Sequence, residues 1–195
     1  MYRYFLIYKP YGMLSQFTRE GGHQSLADLN FVFPKDVYPV GRLDADSEGL
    51  LILTNDPAVN SRLLVPEGKH TREYLVQVEG EISPEHLSRL ESGVRINIRG
   101  EVYQTRPCKA RIRMELPEIP ERIPPVRFRK NIPTSWLSIE LIEGKNRQVR
   151  KMTAAVGIPT LRLIRLRIGT FSLSDLKKEA VVEIGKSDFY EKIRS

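Results

Sequence analysis

The chain of 195 residues predicts an α+β fold on a largely antiparallel, mixed sheet with flanking helices. Short alternating or wholly apolar runs recur from Tyr4 to Ile184, and capped helical patterns fall between them without the regular alternation of a doubly wound sheet. A hairpin signal at Arg99-Gly100 joins two runs directly, which only antiparallel neighbours allow. The length suits one substantial core or two small lobes flanking a cleft, and the whole of 1–195 is read as a single domain.

Tyr4 to Tyr8 is a strand of aromatic and aliphatic residues, stopped by Pro10 and Gly12. A polar loop follows, in which Phe17 is expected to tuck onto the core, and Ser25 caps a short helix through Leu29. Val37 to Val40 and Leu50 to Thr54 are the next strands. Asn55-Asp56-Pro57 starts a helix whose apolar face is Val59, Leu63 and Leu64. Arg72 to Glu79 alternates, with Tyr74, Val76 and Val78 on one face. Ser83-Pro84 opens a helix that buries Leu87 and Leu90 and stops at Gly93; Val94 to Thr105 is the hairpin. Cys108 to Met114 is a strand with Lys109, Arg111 and Arg113 on one face. Five prolines between Pro117 and Pro133 then forbid regular structure, and Arg122, Arg127, Arg129 and Lys130 make this segment either a spacer or a basic loop that follows a phosphate backbone. Trp136 to Ile142 is a strand. Val149, Met152, Thr153 and Val156 give a helix ended by Gly157, Leu161 to Ile168 and Ala180 to Ile184 are strands, and Asp188 to Ile193 closes as a short helix.

A formal charge of +7 and a pI near 9.6 favour a polyanionic partner, nucleic acid above all, although 24 acids leave open that the excess is plain solubility charge. One cysteine, Cys108, excludes an internal disulfide, and His23, His70 and His86 have no ligand spacing with it, so neither a zinc site nor a Cys/His nucleophile is expected. The N-terminal apolar run is too short for a signal peptide, and no run approaches the roughly 20 apolar residues of a membrane helix. A cytoplasmic protein is expected.

Val40-Gly41-Arg42-Leu43-Asp44-Ala45-Asp46-Ser47-Glu48-Gly49-Leu50-Leu51 places alternating carboxylates at the mouth of a buried strand. Such loops often carry function because a rigid strand holds them, although an Asp/Ser/Gly turn before a strand is also ordinary loop chemistry. The same stretch imitates the first half of a calcium loop, but position 12 is Asn55 rather than a bidentate Glu, and Leu50 to Leu53 stand where ligands should alternate. Near the other end, Lys145, Arg147, Arg150 and Lys151 crowd the start of a helix. Cations are unfavourable beside the positive end of the helix dipole unless an anion binds there, so Lys145, Asn146 and Arg147 are candidate phosphate contacts, with a solvated basic face as the alternative.

Three stretches in order resemble the pseudouridine synthases that modify ribosomal RNA: Gly41-Arg42-Leu43-Asp44 with its Asp46-Ser47-Glu48-Gly49-Leu50-Leu51 continuation, Arg72-Glu73-Tyr74-Leu75-Val76, and Glu143-Gly144-Lys145-Asn146-Arg147-Gln148-Val149-Arg150-Lys151-Met152. The middle one has Arg72 where Lys is more usual, which keeps the charge. The start of the chain and Pro133-Thr134-Ser135-Trp136-Leu137 are similar to the single-site, large-subunit branch. The resemblance implies the catalytic fold of that family, Asp44 as catalytic aspartate, Tyr74 as the ring that stacks on the target base, Arg150 as the partner of Asp44, Leu163 as an apolar wall and Arg42 as an aid to displacing the uridine. It implies no cofactor, no metal and no obligate protein partner, and large-subunit ribosomal RNA or its assembly intermediates as substrate. The S4-type RNA-binding domain of many relatives is not found in this sequence, so RNA grip is expected from the catalytic domain, including Arg127, Arg129 and Lys130.

The residues suit that chemistry. Breaking the N1 bond of uridine to its sugar and rejoining the base through C5 needs no redox partner or group donor. One carboxylate can act as nucleophile or stabilise a cationic sugar, and a neighbouring Arg keeps it ionised. The base must leave its stack at a cost of a few kcal/mol, and a ring such as Tyr74 returns about 1 to 3 kcal/mol by stacking. A non-catalytic RNA-binding or assembly protein on the same fold is the alternative.

Overall fold

The computed structural model describes residues 1–63, 70–127 and 129–194. By contacts the chain divides into two compact units, Met1–His70 with Ile164–Ser195, and Thr71–Leu163.

In the first unit β1 (Tyr4–Lys9) pairs antiparallel with β3 (Glu48–Thr54) on one side and β11 (Val181–Ile184) on the other. β2 is only Tyr38–Pro39, shorter than the expected Val37 to Val40, although Val40 N–H still donates to Ile52 C=O of β3 at 2.8 Å. The part of β9 (Thr160–Ile168) from Ile164 onward lies parallel to β3, with Glu48 opposite Ile164 and Gly49 opposite Arg165, and the short β10 (Phe171–Ser172) folds back on it. Every residue of β3 is buried, which explains its unbroken apolar run. Leu50 and Ile52 join Tyr4 and Leu6 under α1 (Pro57–Leu63) and α4 (Lys186–Arg194), where Val59, Leu63, Phe189 and Ile193 close the core. Leu51 and Leu53 face the other way with Phe5 and Ile7, covered by the loop residues Met13, Leu26, Phe17, Phe31 and Phe33. Phe17 therefore packs on the core, its ring 5.4 Å from that of Phe33. The helix capped by Ser25 is a single 3₁₀ turn, Leu26–Asp28, and a further 3₁₀ turn, Leu173–Leu176, is not among the elements expected from the sequence. Asp56 caps α1 through Ala58 N–H at 3.1 Å and accepts the hydroxyls of Tyr4 and Tyr190. Leu64 lies outside the described residues.

In the second unit β4 (Arg72–Glu79) pairs antiparallel with β8 (Thr134–Leu141) along its whole length, and β7 (Lys109–Ile112) pairs with the other edge of β8. One face carries Val76, Val78, Leu137, Ile139 and Ala110 onto α2 (Pro84–Ser92) and α3 (Gln148–Ala155), which contribute Leu90, Val149 and Met152. Tyr74 and Cys108 pack on the rim of the same core. β5 (Arg95–Ile98) and β6 (Glu101–Gln104) form a separate two-stranded hairpin. The α+β class and the dominance of antiparallel pairing match the sequence expectation. Among the described residues no helix is long and apolar enough to cross a membrane.

Gly49 (φ +107) has no room for a side chain: a Cβ there would fall on the backbone of Arg165. Gly49→Ala should therefore cost at least about 2 kcal/mol in urea unfolding, from the positive φ and the clash together.

Candidate active site

The turn that carries Asp44 is fixed from below by the loop that leaves β1. Ser15 both donates to Leu43 C=O at 2.8 Å and accepts from Leu43 N–H at 3.0 Å, and Gly12 N–H donates to Ala45 C=O at 2.7 Å. Ser47 N–H closes the turn onto Asp44 C=O at 3.0 Å. Beneath it the fully buried ammonium of Lys9 donates to Met13 C=O at 2.6 Å and Pro10 C=O at 2.9 Å, with Ala45 C=O at 3.5 Å. Burial pushes the Lys9 pKa down to about 8, and the opposing charges of Glu48, Asp46 and Asp44 limit the fall.

The three acids of this stretch have different fates. Glu48 is buried and accepts the Tyr8 hydroxyl at 2.9 Å. Asp44 and Asp46 are half-exposed, so of the three these two are open to solvent. Arg42 is exposed on the same turn. The calcium-loop alternative fails on geometry: Leu50 to Leu53 are core strand residues, and Asn55 donates to Asp36.

In the second unit Tyr74 is half-buried on β4 and shares its core with Leu163, which is 6% exposed. Arg150 is half-buried in the first turn of α3, whose Val149 and Met152 join that core. The loop before α3 is held by a buried carboxylate. Glu143 accepts the Tyr103 hydroxyl at 2.5 Å, Arg106 N–H at 2.9 Å and the Gln148 amide at 2.5 Å, while Gln148 Oε1 accepts Lys145 N–H at 2.9 Å. That hydrogen bond to Glu143, with burial, holds the Tyr103 phenol above its ordinary pKa. Arg147 caps α3 in the left-handed region, at φ 51°. Lys145, Asn146 and Arg147 are all exposed, with Lys145 Nζ 4.9 Å from the Tyr103 ring centroid and Asn146 accepting from Lys151 Nζ at 3.4 Å.

The Pro-rich segment is tied down rather than loose. Arg162, 8% exposed, donates to Pro120 C=O at 2.7 Å, and Arg122 reaches Leu161 C=O at 3.2 Å. Arg127 and Lys130 are exposed around a cavity of about 420 Å³ that Gln77, Glu79 and Leu161 also line. Arg129, by contrast, is engaged by Glu79 at 2.9 Å. Cys108 is half-buried and burial pushes its thiol up to about 12, which makes it an inert packing residue.

Residues 3–155 match the family described as RNA pseudouridylate synthase. The chain belongs to this family. Over 169 residues it is 49% identical to the ribosomal large subunit pseudouridine synthase E of Vibrio parahaemolyticus, covering 87% of this chain and 68% of that one. It is 48% identical over 171 residues to the protein of the same name from Xanthomonas axonopodis, covering 88% of each. A crystal structure of a pseudouridylate synthase superposes with a TM-score of 0.75 at 25% identity, covering 99% of this chain and 74% of that one. The chain is thus a pseudouridine synthase, an isomerase, with the fold the motifs implied.

Sequence reasoning on this synthase missed the residues that hold its loops: Lys9, Ser15, Glu143 and Tyr103. The signal for Lys9 was present, a cation directly after an apolar strand and directly before Pro10, where a solvated charge has little reason to be. Lys9 also generates a signed prediction. A lysine with a folded pKa near 8 and an unfolded value near 10.5 makes the unfolded chain bind more protons between these limits, so its contribution to stability rises with pH across that window. The stability difference between the wild type and Lys9→Met, from urea unfolding at pH 7.5 and 9.5, should shift in favour of the wild type by about 1 to 2 kcal/mol at the higher pH.

Proposed function

We propose that this synthase converts one uridine of large-subunit ribosomal RNA to pseudouridine, with Asp44 as the catalytic carboxylate. The observation that carries the reading is the 48–49% identity, over most of the chain, to enzymes named for that RNA. The reaction is an isomerisation: the N1 bond to the sugar breaks, the base turns, and C5 takes the place of N1. It consumes no co-substrate, and a single carboxylate serves it either as nucleophile or as stabiliser of a cationic sugar.

A half-exposed carboxylate on a turn clamped by Ser15 and Lys9 supports Asp44 in this role, because a reacting group gains most when its position is fixed before the substrate arrives. In this reading Tyr74 stacks on the displaced base, Leu163 supplies the apolar wall, Arg150 pairs with the carboxylate and Arg42 aids displacement of the uridine. The exposed residues Lys145, Asn146, Arg147, Arg127 and Lys130 contact phosphates. Arg129, already held by Glu79, adds less.

The deciding experiment is pseudouridine mapping on large-subunit RNA lacking the modification, both free and in assembly intermediates. The wild type should add a single pseudouridine. Asp44→Asn should bind the RNA nearly as tightly and lose at least about a thousandfold in turnover, the scale on which removal of a catalytic carboxylate acts. Tight binding with no modification of either substrate would leave the non-catalytic alternative. For the basic loop, Arg127→Ala with Lys130→Ala should lower the slope of log affinity against log salt by roughly 0.7 to 0.9 per lost phosphate contact. An unchanged slope would make the loop a spacer.

A further inference from the structure

Apart from Tyr103, which holds Glu143, the β5–β6 hairpin stands outside every role assigned above. It is joined to the rest of the second unit by packing and side-chain bonds, not by strand pairing, since among the described residues its two strands pair only with each other. Its inward face is anchored. Ile96 is 5% exposed in the core, Tyr103 bonds to Glu143, and Thr105 closes the base, donating its N–H to Val94 C=O at 3.0 Å and accepting Val94 N–H on its hydroxyl at 2.9 Å. A two-stranded ribbon so anchored is a rigid support for whatever its other face carries.

That outward face has an unusual composition. Arg95 stands opposite Gln104 and Asn97 opposite Val102, all exposed, with Val102 at 75%. No acid interrupts it: Glu101, the hairpin's carboxylate, is opposite Ile98 and so belongs to the other set of alternating positions. At the tip, Arg99 occupies the first position of a two-residue turn at φ 54°, followed by Gly100 at φ 93°, whose N–H donates to Asn97 Oδ1 at 2.9 Å. Asn or Gly fits that first position without strain; Arg does not. A cation is thus kept at an apex where another residue would fold better. Among the described residues no carboxylate forms an ion pair with Arg95 or Arg99. Tyr103, on the inward face, lies under Lys145 of the loop before α3, so the hairpin is adjacent to the basic helix start.

We propose that the outward face and tip of the β5–β6 hairpin, Arg95, Asn97, Arg99 and Gln104, form a second grip on the sugar-phosphate backbone of the substrate RNA. This rests on the RNA-substrate reading above. Two guanidinium groups take phosphate oxygens, the amides of Asn97 and Gln104 suit ribose hydroxyls, and Val102 lies against the sugar. Lone apolar Val102 among polar and cationic neighbours fits a nucleic acid better than a protein partner, whose interface would need an apolar centre. The grip is blind to sequence and acts on affinity, not on the chemical step.

The test uses the full chain and transcribed large-subunit RNA, with affinity measured over a salt series and turnover at saturating RNA. Arg95→Gln/Arg99→Gly should weaken binding about threefold to tenfold near 0.1 M salt and lower the salt slope by roughly 1 to 2, one counterion step for each lost phosphate, with turnover unchanged. Arg99→Gly alone relieves the strained turn, so it should keep or raise the melting temperature while still losing part of the slope. Wild-type affinity and slope in both variants would overturn the inference, as would a loss of turnover at saturation. A wild-type chain that neither binds nor modifies the RNA would instead bring down the reading on which the inference stands.

Discussion

The buried ammonium of Lys9 is the interaction on which the turn that carries Asp44 depends. The loop that leaves β1 and the turn that carries Asp44 both expose carbonyl oxygens to the interior, and a buried carbonyl without a donor costs about as much as a lost hydrogen bond. One ammonium, with Met13 and Pro10 in close contact and Ala45 at the limit of reach, serves the two segments together. Burying a full charge is expensive, several kcal/mol even after relaxation, and it persists here because Glu48, Asp46 and Asp44 set negative charge around it. The cost fixes a half-exposed carboxylate on a scaffold with little freedom to move. The same acids that make the turn a candidate for chemistry thus help to hold the charge beneath it.

The second unit reaches a similar end with the opposite sign. Glu143 is buried and accepts from Tyr103, from the Arg106 backbone and from Gln148, drawing the hairpin, the connector after it and the first turn of α3 to one point. An ionised acceptor makes stronger hydrogen bonds than a neutral one, and a fully satisfied buried carboxylate has a narrow choice of geometry. This offsets an unfavourable feature of the local sequence: α3 begins with Arg147 in the left-handed region and has no acidic residue in its first turn. Through the Gln148 amide, whose oxygen accepts Lys145 N–H, the same carboxylate orders the loop that enters the helix.

Most of the elements were legible in the sequence because each rests on a local rule. The alternation of β4, the Ser83-Pro84 start of α2 and the Arg99-Gly100 hairpin all fall where pattern and punctuation put them. What was not legible depends on partners far apart in the chain. Arg162 and Arg165 look like part of a basic run on a strand, yet both are buried, one serving the Pro120 carbonyl and the other the Leu50 carbonyl. Glu48 looks equivalent to Asp44 and Asp46, yet it is buried and accepts the hydroxyl of Tyr8, far away in the chain. The strain at Arg99 is likewise a property of the folded turn, since the dipeptide itself reads as an ordinary turn signal.

The buried cations also change what the net charge means. A formal +7 counts Lys9, Arg162 and Arg165 equally with surface residues, although all three are buried. Further cations are taken up by carboxylates: Arg3 by Glu183, Arg19 by Asp28, Arg129 by Glu79 and Lys192 by Asp175. The positive potential offered to a polyanion therefore depends on a smaller set of exposed groups, among them Arg95, Arg99, Arg127, Lys130 and Lys145 of the second unit. Phosphate contacts from such groups give affinity and orientation but no choice among sequences. Choice of one uridine must come from the shape of the RNA they accommodate and from the space left for a displaced base, so the rigidity of the ribbons and turns that carry these cations matters as much as their number.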